Sequence, residues 1–177
     1  IEPYKCITVG GCAGYNPTYQ SQNASNAEIW GTEISSVYFL NEERYGISLA
    51  SNIAFAKGNN TTEDIPLDTV QPFEAKIAIR YDTKDDKWNH ELATTFVGEP
   101  RVASGTTTFV PDSYATFDIK TSYKQSDRLA LNVGLYNLAD ERYYNYQSVK
   151  SLASDVDNLT RYSQPGRNIR AGFSFKF

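Results

Sequence analysis

The chain closes on Asn168-Ile169-Arg170-Ala171-Gly172-Phe173-Ser174-Phe175-Lys176-Phe177, where every odd position is apolar and every even position is polar, small or charged. A period of two sends alternate side chains to opposite faces of an extended strand, so this segment carries one greasy face and one polar face. The same alternation recurs upstream. Leu129, Leu131, Val133 and Leu135 alternate with Arg128, Asn132 and Gly134. Phe117, Ile119 and Tyr123 alternate with Thr116, Asp118, Lys120 and Ser122, and Phe73, Ile77, Ile79 and Tyr81 with Glu74, Lys76 and Arg80. Helical spacing is hard to find over any useful window, so an all-β, antiparallel fold is expected.

Counting such runs predicts about seven strands, at 19–40, 45–57, 72–83, 87–99, 114–125, 128–145 and 162–177. Their connections alternate. Asn41–Glu43, Thr83–Asp86 and Gln125–Asp127 are short polar turns, whereas 58–71, 100–113 and 146–161 are long and rich in Gly, Ser, Thr, Asn and Asp. Tyr38, Phe39, Tyr45, Tyr81, Trp88, Tyr123 and the terminal phenylalanines lie beside the short-turn ends. Long strands, short turns on one edge, long loops on the other and aromatic rims are the pattern of a transmembrane β-barrel with its apolar face outward. A soluble barrel with the apolar face inward stays open, because Glu74, Arg80, Lys120, Arg170 and Lys176 would serve as its solvated surface.

Composition excludes other classes. Seventeen lysines and arginines against 21 acids, a net charge of −4, argue against a nucleic-acid binder that relies on a basic surface. Mean hydropathy is −0.50 and no window nears the roughly 18 apolar residues of a membrane helix. Aromatics nevertheless reach 14%, high for so polar a chain. There is no methionine, which leads us to expect a piece of a longer protein. Cys6 and Cys12 enclose a loop with two glycines, a spacing that permits a local disulfide in an oxidising compartment. Gly-x-Ser-x-Gly, phosphate-loop, His-Glu-x-x-His and Cys-x-x-Cys motifs are missing, so no enzyme is expected.

Arg161 to Phe177 resembles the last strand of TonB-dependent outer-membrane receptors. Three further stretches are similar to that family in the expected order: Asn26-Ala27-Glu28-Ile29-Trp30-Gly31-Thr32-Glu33, Asp118 within its strand, and Asn137-Leu138-Ala139-Asp140-Glu141-Arg142-Tyr143-Tyr144. Ala139 departs from the family's usual Phe. The resemblance implies that residues 1–177 are the C-terminal part of a plugged barrel of about 22 strands in the outer membrane of a Gram-negative bacterium. The plug and earlier strands would lie upstream. It further implies that Phe173, Phe175 and Phe177 form the signal read by the barrel-assembly machinery.

Leu67–Lys76, Arg80-Tyr81-Asp82, Trp88 and Tyr144–Val149 look most like the haem and haemoglobin receptor branch. That implies active import of haem, captured from a haemoprotein or hemophore, with energy from TonB acting through the plug. Haem is then a transported ligand and no intrinsic cofactor is implied. Siderophore and transferrin or lactoferrin receptors are the alternatives, since they share the closing motif or the general pattern.

Tyrosines ligate ferric haem as phenolates, which makes Tyr15, Tyr19, Tyr143, Tyr144 and Tyr146 candidates near external strand ends. Arg161 and Arg167 are candidates for propionates, with pairing to nearby acids as the competing role. His90, the only histidine, falls just beyond a short turn and shares the parity of Leu92 and Phe96, which predicts an outward, structural ring. Asp82, Asp85 and Asp86 make an acidic turn without the spacing of a calcium loop. The Asn-x-Ser/Thr sites at Asn23, Asn59, Asn60 and Asn158 are expected to be chance matches in a bacterial protein.

Overall fold

The computed structural model describes residues 26–177, together with the backbone pairing of two short strands, β1 (Glu2–Pro3) and β2 (Tyr19–Gln20). Cys6, Cys12, Tyr15 and Asn23 lie outside the described residues. The remaining strands are β3 (Ala27–Phe39), β4 (Gly46–Asn60), β5 (Ile65–Pro66), β6 (Glu74–Asp82), β7 (Trp88–Val97), β8 (Tyr114–Lys124), β9 (Leu129–Tyr136) and β10 (Asn168–Phe175). They form one antiparallel sheet in the order β10-β9-β8-β7-β6-β4-β3, with β5 alongside the end of β4. Each long strand thus pairs with its sequence neighbours, as an up-and-down meander requires.

Alternation fixes which side chains share a face, and the register aligns those faces across the sheet. One row takes a single residue from each long strand: Tyr38, Leu49, Ile79, Leu92, Ile119, Leu135 and Ile169. All seven are apolar or aromatic, and they are 39% to 68% exposed. The next inward-facing row reads Phe39, Ser48, Arg80, Glu91, Lys120, Gly134 and Arg170. Large apolar groups therefore stand open on the outward face, and polar or small groups occupy the inward one. The only buried apolar cluster among the described residues is a row of small side chains, Ala50, Ala78 and Ala93, on the inward face. This distribution, apolar outward and polar or small inward, is the pattern of a transmembrane β-barrel wall. Ser36 and Ser51 are exceptions on the outward face, and their hydroxyls bond each other at 2.9 Å. In lipid that mutual bond supplies the partner that water would otherwise give.

Seven long strands match the seven expected, and four ends are corrected. The first long strand begins at Ala27, not residue 19, because Tyr19–Gln20 pairs with Glu2–Pro3 instead. The strand expected over 128–145 stops at Tyr136, where Asn137 and Asp140 take left-handed backbone at φ 51° and 56°. The last strand starts at Asn168, not 162; a 3-10 turn over Leu159–Tyr162 and the Pro165-Gly166 pair precede it. The loop expected from residue 58 starts later, as β4 continues to Asn60 and β5 adds a bridge to it. Phe39 lies beside the first short turn, as expected, and its ring is on the inward face, beneath the Arg44 guanidinium, 5.7 Å from the ring centre.

Candidate functional site

Three long loops, 61–73, 98–113 and 137–167, leave the sheet at the same edge and pack on one another. Leu67 and Val70 fold back over Gly58, and a side chain at Gly58 would meet Val70 Cγ2 at 2.7 Å and Leu67 Cδ1 at 3.1 Å. Glycine at this inward-facing position lets the first loop lie against the wall. The third loop carries a short helix, α1 (Tyr146–Val149), whose first turn is capped by Asn145 Oδ1 accepting from Gln147 N at 3.0 Å. Val149 is fully buried and Tyr146 is 5% exposed. Phe109 N donates to Leu152 O and Ser154 N to Thr107 O, both at 2.8 Å, tying the second loop to the third. Tyr144 packs edge-on against Phe109 at 5.3 Å, and Tyr143 lies against Tyr114 at 4.3 Å.

A second arrangement sits at the root of the third loop. Asp118 Oδ1 accepts from Asn137 N at 3.0 Å. The Asn137 side chain accepts from Glu141 N at 2.9 Å and donates to Glu141 O at 2.8 Å and to Pro165 O at 3.3 Å. Asp140 Oδ1 then accepts from Arg167 N at 2.7 Å. The two ends of the 137–167 loop are thus clasped together where β9 ends and β10 begins.

On the inward face Glu91 is the hub of a charge cluster. Its Oε2 accepts from Arg80 Nε at 2.8 Å, and its Oε1 lies 3.1 Å from Lys120 Nζ and 3.5 Å from Lys76 Nζ. In the same row the Tyr136 ring folds back over Gly134, and a Cβ there would meet Tyr136 Cε2 at 2.6 Å. Arg170 and Lys120 flank that ring, with their charged ends 4.8 Å and 5.9 Å from its centre.

A family profile described as "TonB dependent receptor-like, beta-barrel" matches residues 5–138, about three quarters of the chain. The chain belongs to the TonB-dependent receptor β-barrel family. Its relatives include a hemoglobin-haptoglobin-binding protein A of Haemophilus influenzae, 27% identical over 190 residues, which span 90% of this chain and 18% of that protein. Hemoglobin-haptoglobin utilization protein B of Neisseria meningitidis is 24% identical, over 98% of this chain and 25% of its own length. Lactoferrin-binding protein A of Neisseria meningitidis is 25% identical, over 88% and 19%. Among solved structures, the copper transporter OprC superposes with a TM-score of 0.71 at 22% identity, over 85% of this chain and 24% of that one. The ferric enterobactin receptor of Pseudomonas aeruginosa gives 0.64 at 20%, over 88% and 23%. These two show the fold. The chain spans about a fifth to a quarter of the length of the relatives named here. TonB-dependent receptors are transport proteins of the Gram-negative outer membrane, not enzymes.

Within this receptor fold, Tyr143, Tyr144 and Tyr146 come together in the loop cluster at the long-loop edge. Tyr146 Oη is buried without a hydrogen-bond partner among the described residues, and burial, reinforced by Asp68, pushes its phenol pKa up. Arg161 is exposed on the 3-10 turn, away from those rings in sequence and element. Arg167 joins the clasp through its backbone. Phe173 and Phe175 stand open toward the short-turn edge, on the outward face where β10 carries them, and Phe177 is exposed two residues beyond the end of that strand.

His90 also lies at that edge, stacked on Trp88 at 5.7 Å and Tyr81 at 6.3 Å, with Nδ1 3.1 Å from Thr121 Oγ1. Trp88 in turn packs on Tyr123 at 4.4 Å, which builds an aromatic belt. The acids of this turn all have partners: Asp82 accepts from Asn89 at 2.7 Å, Asp85 from Thr83 Oγ1 at 2.6 Å and Lys87 N at 3.3 Å, and Asp86 Oδ2 lies 3.6 Å from Lys124 Nζ at the end of β8. The Thr83 hydroxyl bond, then the Lys87 backbone, hold the Asp85 carboxyl below the usual carboxylate range.

Sequence reasoning did not find the Glu91 hub or the clasp as a unit. Parity carried a signal for the hub, because Arg80, Glu91 and Lys120 all belong to polar faces. Register across three strands was needed to bring them together.

Proposed function

We propose that this chain is the C-terminal barrel portion of an outer-membrane receptor of a Gram-negative bacterium that imports haem taken from a haemoprotein or hemophore. The observation that carries it is the set of relatives: proteins named for binding haemoglobin or haemoglobin–haptoglobin align over about nine tenths of this chain. In this reading β3 to β10 supply wall for a barrel of about 22 strands and the three packed loops supply part of its outer mouth. Tyr143, Tyr144 and Arg161 are the described candidates for contact with haem, phenols toward iron and the guanidinium toward propionates; Tyr146, 5% exposed, would reach a ligand only once the loop cluster opens. Phe173, Phe175 and Phe177 address the barrel-assembly machinery. Partner binding at the loops shifts a plug supplied by the rest of the receptor, and TonB provides the energy; no covalent chemistry is required.

A lactoferrin receptor is the second reading, favoured by one relative of similar identity. The deciding experiment titrates the purified full-length receptor with haemoglobin, haem and lactoferrin in turn. A Soret shift with haem and retention of haemoglobin on receptor-bearing cells is the expected result. Retention of lactoferrin with no Soret shift would replace the haem reading.

A further inference from the structure

Two register rows cross the outward face near the short-turn edge. The first reads Ile47, Tyr81, His90, Thr121, Val133 and Ala171, and the second Trp88, Tyr123, Leu131 and Phe173. Polar tips in these rows are confined to β6, β7 and β8, because β4 supplies Ile47 and β9 and β10 supply hydrocarbon alone. A belt that only anchors the wall at the membrane surface would spread such tips along it.

The polar patch is held in shape by its own rings. Trp88 lies nearly parallel to His90, 5.7 Å away at 10°, Tyr81 stacks on His90 at 6.3 Å and 21°, and Tyr123 packs on Trp88 at 4.4 Å. His90 Nδ1 is 3.1 Å from Thr121 Oγ1, and when Thr121 donates to it the ring proton sits on Nε2. Tyr81 Oη, Trp88 Nε1, His90 Nε2 and Tyr123 Oη are then four donors with no protein acceptor among the described residues. Tyr81 and Trp88 stand 48% and 41% exposed.

Carboxylates near the patch are engaged elsewhere. Asp82 faces inward to Asn89, Asp85 is held by Thr83 and Lys87, and Asp86 lies beside Lys124. Glu28, the one carboxylate on the outward face of the described strands, is at the far end of β3. The acceptors that a membrane brings to this depth are the phosphate and ester oxygens of its lipids, and phosphate accepts the stronger bonds. β6 to β8 spans two strand spacings, about 10 Å, which suits one headgroup.

We propose that Tyr81, Trp88, His90 and Tyr123 form a binding site for the phosphodiester headgroup of a phospholipid in the leaflet at the short-turn edge, with His90 Nε2 as its central donor. The site depends on the outward face meeting lipid, and it is independent of which ligand the receptor imports.

The test uses the full-length receptor, stripped of lipid in maltoside micelles, and native mass spectrometry during titration with dioleoylphosphatidylglycerol or with dioleoylglycerol, which lacks the phosphate. Wild type retains the phospholipid and sheds the diacylglycerol. His90→Phe keeps a stacked ring, weakens phospholipid binding about tenfold and leaves the diacylglycerol unchanged. His90→Gln places an amide nitrogen about where Nε2 lies and stays within about threefold of wild type. Tyr81→Phe with Tyr123→Phe keeps both rings and also weakens binding, which decides the matter if His90→Phe fails to assemble. Phospholipid binding that survives the loss of these donors overturns the site. An equal loss from Tyr38→Phe, a phenol outside the patch, would also overturn it, by showing that the belt holds headgroups diffusely.

Discussion

Asn137 holds a left-handed backbone at 2% exposure, and its one side chain satisfies three backbone groups while Asp118 receives its N–H. Alanine there would strand the Glu141 N–H, the Glu141 carbonyl and the Pro165 carbonyl, and would hold an unfavourable φ without a compensating bond. Asn137→Ala is expected to cost about 2–4 kcal/mol. Asn137→Gly, which tolerates that φ, costs about 1 kcal/mol less. The temperature at which the full-length receptor loses its compact electrophoretic band reads both; an Asn137→Ala receptor that melts with wild type would show the clasp to be idle. Asp118, Asn137, Asp140 and the Pro165–Arg167 stretch were each visible in the sequence as pieces of separate motifs. That they make one clasp was not, because Asn137 and Pro165 are far apart in the chain and only the end of β9 and the start of β10 bring them together. The hydrogen-bonding of an Asx side chain is local chemistry, whereas its partner is chosen by topology.

At the level of elements, alternation carried the strands and failed at their ends. Val133 and Leu135 read as strand because each neighbour lies on the opposite face, and the register bears that out. Tyr143 and Tyr144 continued the pattern of apolar and aromatic residues, yet they belong to the loop cluster, where they pack half-buried against Tyr114 and Phe109. Periodicity cannot distinguish a strand from a loop that packs its aromatics inward. Within that cluster Tyr146 Oη is buried with no hydrogen-bond partner among the described residues, so Tyr146→Phe removes a buried polar atom without breaking a hydrogen bond seen there. The variant is expected to be stabilised by about 1 kcal/mol, seen as slower protease cleavage of loop 137–167 in the intact receptor. The phenol pKa is raised by burial, so the folded loop binds its proton more tightly than the unfolded one. Stability of the cluster is then intact below about pH 10, where the unfolded phenol begins to ionise, and declines as pH rises through the folded value. Tyr146→Phe abolishes that decline in the cleavage rate, and a variant with the wild-type alkaline profile would assign it to another group.

For the whole molecule the decisive property is which face meets lipid. Both faces of the sheet carry exposed residues, so exposure by itself does not separate a membrane wall from a solvated sheet. Asn132 and Val133 are adjacent on β9, at nearly the same depth, both exposed, and on opposite faces. Val133 stands between Thr121 and Ala171 on the outward side, and Asn132 between Ser122 and Gly172 on the inward side. If lipid covers the outward face, Val133→Arg forces a guanidinium into hydrocarbon near the middle of the strand and costs about 2–4 kcal/mol. Asn132→Arg projects into a hydrated interior already lined by Ser122 and Asn132's polar neighbours, and costs under about 1 kcal/mol. A sheet bathed by water on both sides would tolerate the two arginines alike. Refolding of the full-length receptor into lipid vesicles, followed by denaturant titration of each variant, measures the difference; equal costs would remove the lipid-facing assignment on which the receptor's orientation and its inner wall depend.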